Sequence, residues 1–98
     1  MRMFIDTHST ETGTFPENIS AVDFASFHQS YNEICREEGV VNLRIHVGMD
    51  AGRAFCVNLA PNAEAVKRVH DRAGLPYDSI TEVTEASQFA LFATAQSA

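Results

Sequence analysis

The sequence has few basic residues, few cysteines and no long apolar segment. Its 7 Lys and Arg are outnumbered by 13 Asp and Glu, and the net charge of −6 argues against non-specific nucleic-acid binding. No apolar run approaches the roughly 18 residues of a membrane-spanning helix, and the first residues lack the apolar core of a signal peptide. Two cysteines in such a chain are typical of free thiols in a reducing compartment. These absences predict a cytoplasmic protein that binds neither nucleic acid nor a membrane.

Several motifs of common chemistries are also missing. The 98 residues contain no Gly-rich phosphate loop, no C-x-x-C and no H-x-x-x-H spacing. A hydrophobic content of 45% and a charged content of 20% are ordinary for a soluble globular chain. We expect one domain over residues 1–85, followed by a tail over residues 86–98 that is rich in Ala, Ser and Gln.

Hydrophobic periodicity predicts two helices and four strands in the order β-α-β-β-α-β. Period-two alternation marks strands, and apolar residues at helical spacing mark helices between capping signals. A polar segment of about ten residues, 9–18, separates the first strand from the first helix and is long enough to suggest a functional loop. The element order is that of the ferredoxin-like fold, an α+β class. We expect a four-stranded antiparallel sheet, with spatial order 4-1-3-2 and two helices on one face.

The central hairpin, residues 40–61, makes a specific prediction about neighbouring side chains. Pairing Ile45 with Val57 puts the apolar residues of both strands on one face, and it puts His46 directly opposite Cys56 on the other. We expect the helices to cover the apolar face and to leave the polar face open. The residues predicted on this open face are Phe4, Asp6, His8, Arg44, His46, Cys56, Asn58 and Glu82.

The predicted His46–Cys56 pair is the first candidate site. An imidazole and a thiolate side by side suit nickel, zinc or copper better than magnesium or calcium. Asp6 and His8 belong to the strand expected beside Cys56 and would complete three or four ligands, while Glu82 is a more distant candidate. The pattern leaves a structural alternative open, in which Cys56 is a small buried residue and His46 an exposed one.

Part of the chain resembles a family of small bacterial nickel-binding ferredoxin-like domains. The resemblance covers residues 2–85, and it implies a homodimer that binds a divalent ion, nickel or alternatively zinc, without established catalysis. Segments 9–18 and 86–98 depart from the family pattern. The matching motifs are Phe55-Cys56, Ala60-Pro61, Glu64, His70, Ala73-Gly74-Leu75-Pro76 and Val83-Thr84-Glu85, so the resemblance adds His70 to the candidate metal ligands.

Metal storage, buffering or sensing is therefore the main functional prediction, and two alternatives stay open. Related ferredoxin-like dimers include small monooxygenases and isomerases, which implies a closed apolar pocket between the sheet and its helices. His46 or His70 would then be the general base and Cys56 the nucleophile. A metal-free protein-interaction module is the remaining alternative.

Overall fold

The computed structural model describes residues 1–88 as one antiparallel sheet with two α-helices. The strand order is β2-β3-β1-β4, which confirms the predicted ferredoxin-like topology. Of the predicted tail, residues 89–98 lie outside the described residues. No helix within residues 1–88 is long and apolar enough to cross a membrane. The elements are β1 (Arg2–Ser9), a 3₁₀ turn (Thr10–Thr12), α1 (Ala21–Glu37), β2 (Val41–Gly48), β3 (Arg53–Ala60), α2 (Ala63–Ala73) and β4 (Ser79–Val83).

Both helices begin and end at the residues that the capping signals predicted. The Ser20 side chain accepts a hydrogen bond from the Asp23 amide at 3.0 Å, and the Asn62 side chain accepts one from the Ala65 amide at 2.9 Å. Gly39 and Gly74 follow the helices in the left-handed conformation, with φ of 73° and 65°.

The predicted loop 9–18 is fixed to the body of the protein. Its Ser9 carbonyl accepts hydrogen bonds from the amides of Thr14 and Phe15, at 2.9 and 3.1 Å. The hydroxyls of Thr12 and Thr14 donate to Asp78 Oδ1 at 2.6 and 3.0 Å, which ties the loop to the segment before β4. As a result Phe15 is buried and forms part of the interior.

Strands β2 and β3 pair in a different register from the predicted one. Ile45 lies opposite Cys56, and His46 lies opposite Phe55. The register shifts between Asn42 and Arg44, where one extra residue makes a β-bulge. The predicted pairing of His46 with Cys56 is therefore wrong. Because residues directly opposite each other share a face, these two side chains point to opposite faces of the sheet.

On β1 and β3 the helices cover the face that the alternation predicted to be open. Phe4, Asp6, His8, Cys56 and Asn58 are all buried beneath them, with exposures of 3% or less. The residues of β1 and β3 that were predicted to be covered lie on the other side, which we call the open sheet face. On β2 the prediction is confirmed, because Arg44 and His46 lie on the open sheet face, whereas Ile45 and Val47 lie on the helix-covered face. By alternation along the paired strands, the open sheet face carries Met3, Ile5, Thr7, Val41, Arg44, His46, Phe55, Val57, Leu59 and Val83.

Candidate metal centre

The buried carboxylate of Asp6 lies between two histidines. Its Oδ2 is 2.6 Å from His8 Nε2 and 2.8 Å from His70 Nε2, and its Oδ1 accepts a hydrogen bond from Asn58 Nδ2 at 2.8 Å. Asp6 is 0% exposed, His8 2% and His70 1%. Two imidazole nitrogens and one carboxylate oxygen thus converge in a buried site.

Local secondary structure explains why these three side chains meet. Asp6 and His8 are two residues apart on β1, so both point to the helix-covered face. His70 follows Val66 by one helical turn and shares the buried stripe of α2 with Val66 and Val69. The two imidazole rings stack with centroids 5.6 Å apart and an interplanar angle of 16°.

The far nitrogen of each histidine is held by the backbone. His8 Nδ1 lies 2.8 Å from the Pro76 carbonyl, and His70 Nδ1 lies 2.8 Å from the Val66 carbonyl. Since a carbonyl oxygen only accepts hydrogen bonds, both Nδ1 atoms are donors and each carries a proton. Metal-binding histidines in proteins almost always donate their second ring N–H in this way, which fixes the tautomer and the ring orientation.

The charges of the cluster stabilise one another in the absence of a metal. Burial alone would raise the pKa of Asp6, but hydrogen bonds from His70 and His8 and the charges of both rings hold that pKa below its usual value. Burial alone would lower the pKa of His70, but the hydrogen bond and the charge of Asp6 outweigh it and raise that pKa. The metal-free centre therefore favours a carboxylate at Asp6 and a proton on His70 Nε2.

Cys56 and Tyr31 border this cluster. The Cys56 sulfur lies 3.8 Å from His8 Nε2, and burial together with the negative charge of Asp6 raises the pKa of its thiol. A protonated thiol is a poor nucleophile, which weighs against covalent catalysis by Cys56. The Tyr31 hydroxyl accepts a hydrogen bond from Asn58 at 3.3 Å, so Asn58 links the tyrosine to Asp6.

The structure thus brings together four of the six predicted ligands. Within residues 1–88, Asp6, His8 and His70 form a group whose candidate ligand atoms all lie within 4.8 Å of one another, and Cys56 adjoins it. His46 lies instead on β2 at the open sheet face. Glu82 forms an exposed ion pair with Arg2 at 2.6 Å. Neither His46 nor Glu82 reaches the cluster.

Comparisons with known proteins cover the whole fold, including this cluster. The family model described as nickel responsive protein SCO4226-like matches residues 4–83. The chain is also similar to the protein in the crystal structure of SCO4226 from Streptomyces coelicolor A3(2), with 30% identity and a TM-score of 0.74. That match covers 87% of this chain and 99% of the other. No curated protein matches the sequence significantly.

Proposed function

Because the chain belongs to the SCO4226-like family of nickel-responsive proteins, we propose that it binds a divalent transition metal at Asp6, His8 and His70, with Cys56 as a fourth ligand. The main support is the convergence of two imidazole nitrogens and a carboxylate oxygen, with both Nδ1 protons held by backbone carbonyls. We further propose a role in nickel storage, buffering or sensing.

The donor set fits a transition metal better than a hard cation. Imidazole nitrogens suit nickel, zinc and copper, whereas magnesium and calcium prefer an all-oxygen set. The Cys56 sulfur would strengthen this preference, since a thiol binds a metal as the thiolate and releases its proton to solvent. The family's description favours nickel, and zinc is the alternative with the same donor chemistry.

Metal binding in this centre is coupled to proton release. In the metal-free protein the proton on His70 Nε2 lies in the 2.8 Å contact with Asp6 Oδ2. A metal ligated by this nitrogen must replace that proton, because a protonated nitrogen has no lone pair to donate. If Cys56 also ligates, its thiol proton is released as well.

Isothermal titration calorimetry tests the proposal directly. Ni²⁺ and Zn²⁺ are titrated into untagged protein, stripped with chelator, in two buffers of different ionisation enthalpy. We expect saturable binding, with a heat that depends on the buffer because protons are released. Replacing His8 or His70 by glutamine should weaken binding at least about tenfold, because even the loss of a residue that only orients a metal ligand costs about 10–100-fold in affinity. Circular dichroism and thermal unfolding establish that each variant is folded.

The matched control is His46→Gln, since His46 is also a strand histidine but points to the open sheet face. Its affinity for Ni²⁺ should equal that of the wild type, and so should that of Glu82→Gln. If His46→Gln loses binding while His70→Gln keeps it, the metal lies elsewhere and the assignment is wrong. Absence of saturable binding of either ion to the wild type would refute the metal function itself.

We also propose that the protein is a homodimer associated through the open sheet face. This face carries the apolar side chains of Ile5, Phe55 and Leu59, and Val41 on it is 47% exposed. Apolar side chains that share an uncovered sheet face support a protein–protein interface there. Light scattering should give twice the chain mass for the wild type and the chain mass for Val41→Glu. Val22→Glu, at a 78% exposed position of α1, is the control that should stay dimeric, and a monomeric wild type would refute the proposal.

A further inference from the structure

An apolar cavity of about 100 Å³ lies between α1 and the sheet, next to the metal centre. Its walls come from separate parts of the chain, so the fold as a whole creates it. The tethered segment after β1 supplies one wall, α1 a second, β3 a third, and the segment after α2 a fourth. The main lining residues are Phe15, Ile19, Phe24, Phe27, Ala54 and Leu75.

His8 and Cys56 also line this cavity, and they separate it from Asp6. Both nitrogens of the His8 ring are already engaged, one with the Pro76 carbonyl and one with Asp6. Among the described residues, no buried side-chain nitrogen or oxygen lacks a hydrogen-bond partner. The wall therefore offers a ligand no free charge and no free nitrogen or oxygen, and a charged ligand would lose its hydration without compensation.

The size of the cavity limits its occupant. An engineered apolar cavity of about 150 Å³, lined by similar side chains, stays dry and binds benzene or xenon. The cavity here is of the same order, and three phenylalanine rings line it. Such rings favour an aromatic guest in an offset or edge-on arrangement. Phe24 is only partly buried and Pro16 is exposed, so solvent reaches the cavity on their side.

We propose that this cavity is a binding site for a small uncharged aromatic or aliphatic molecule about the size of benzene. The proposal is independent of the metal function, because all the lining contacts exist without a metal. An occupant lies against His8 and Cys56, and it is therefore a direct neighbour of the candidate metal ligands.

The test is a titration of the metal-free full chain, followed through its backbone amide NMR signals, with benzene and with benzoate as the charged counterpart. Benzene should cause saturable shifts at residues 15–19, 24–27 and 54–56, with a dissociation constant at or below about 1 mM, and benzoate should cause none there. Two outcomes overturn the proposal. One is the absence of saturable benzene shifts, and the other is shifts confined to the open sheet face around Val41 and Leu59. Equal affinity for benzoate overturns the assigned ligand class.

Two variants test the location of the site. Ala54→Leu fills the cavity from β3 and should weaken benzene binding at least tenfold. Phe24→Ala enlarges the cavity at the partly exposed side of α1, and it should bind the larger indole ring at least tenfold more tightly than the wild type does. Val22→Ala on the exposed side of the same helix is the matched control and should bind both molecules like the wild type. If the folded Phe24→Ala protein shows no change towards indole, the cavity is not the site, even where Ala54→Leu fails to fold. Because these titrations use the metal-free protein, they test the cavity even if the wild type turns out to bind no nickel.

Discussion

Replacing Asp6 by alanine would remove the shared acceptor of three buried hydrogen bonds, from His8, His70 and Asn58. Each buried polar group left without a partner costs about 1–3 kcal/mol, and breaking a buried ion pair by removing one partner costs about 3–5 kcal/mol. We therefore expect Asp6→Ala to lower the free energy of unfolding by about 3–5 kcal/mol. The whole free energy of unfolding of a domain of this size is only about 5–15 kcal/mol, so this is a large fraction of it. The melting temperature should fall by at least about 12 °C.

Asp6→Asn separates the loss of charge from the loss of hydrogen bonds. The asparagine oxygen can accept the bond from Asn58, and its two N–H groups can donate to the lone pairs of neutral His8 and His70. Since every buried polar group keeps a hydrogen-bond partner, we expect Asp6→Asn to lower the free energy of unfolding by less than about 2 kcal/mol at pH 8. Equal destabilisation by alanine and asparagine at pH 8 would contradict this account of the cluster.

The pH dependence of stability checks the charges directly. The pKa of His70 is raised above 6.5 in the folded protein. The protonated ring therefore contributes its full share of the free energy of unfolding below about pH 6.5, and this share is lost as the pH rises through the raised pKa. The pKa of Asp6 is lowered below 3.8 in the folded protein. The carboxylate therefore contributes its full share of the free energy of unfolding above about pH 3.8, and this share is lost as the pH falls through the lowered pKa. The metal-free wild type should be most stable between about pH 4 and 6.5.

Urea unfolding with a chelator present, at pH 5 to 8, measures this profile. In Asp6→Asn no negative charge holds a proton on His70, and its burial lowers its pKa, so protonation of His70 favours the unfolded chain and stability should rise from pH 5 to 7. The wild type should instead lose stability above about pH 6.5. If both proteins show the same slope, the charge of Asp6 does not hold a proton on His70, and the reasoning fails.

Two further predictions concern the scaffold, and equilibrium urea unfolding measures both. Gly52→Ala places a Cβ 2.5 Å from Thr10 Oγ1 at a φ of 65°, so we expect the free energy of unfolding to fall by about 2–4 kcal/mol. In the control Gly39→Ala nothing lies within 4 Å of the new Cβ, and the fall should be only about 1–2 kcal/mol, from the left-handed backbone alone. Equal losses would show that the contact with Thr10 does not matter. Ser20→Ala removes the cap that accepts from the Asp23 amide and should cost about 1 kcal/mol, which an unchanged unfolding midpoint would contradict.

The element order and helix ends were predictable because their signals are local. Ser20 and Asn62 satisfy free amides at the start of each helix, and Gly39 and Gly74 supply the left-handed residue at the end. Each signal depends on a few consecutive residues and needs no knowledge of tertiary packing. The order of elements then left few compact topologies, and the ferredoxin-like one was confirmed.

On β1 and β3 the covered face was wrongly predicted because alternation shows which residues share a face and not which face the helices cover. On β3 the larger apolar residues Phe55 and Leu59 lie on the open sheet face, whereas Ala54 and Ala60 lie beneath the helices. Small side chains allow helices to approach the sheet closely, so size was a better signal than hydrophobicity. The bulge between Asn42 and Arg44 then shifted the register, and no local residue type marked it.

One sequence feature points to the metal centre, namely the position of His70 on the apolar stripe of α2. His70 shares the buried stripe of α2 with Val66 and Val69, and a buried histidine needs a polar partner from whichever strand it covers. Asp6, a charged residue within an otherwise strand-like segment, is such a partner. The supporting contacts from Asn58 and Tyr31 depend on tertiary geometry, and no sequence pattern predicts them.

Stability and metal affinity should respond to pH in opposite directions, for one and the same reason. Asp6 holds a proton on His70 Nε2 in the metal-free protein, and a metal must displace it. Between pH 6.5 and the raised pKa of His70, the metal-free fold loses stability because the unfolded chain gives up this proton first. Over the range in which the folded protein still holds the proton, apparent nickel affinity should rise about tenfold per pH unit for each proton displaced. Unfolding and calorimetry on the same protein measure the two slopes, and a nickel affinity that does not change from pH 6 to 7 would place the metal away from His70.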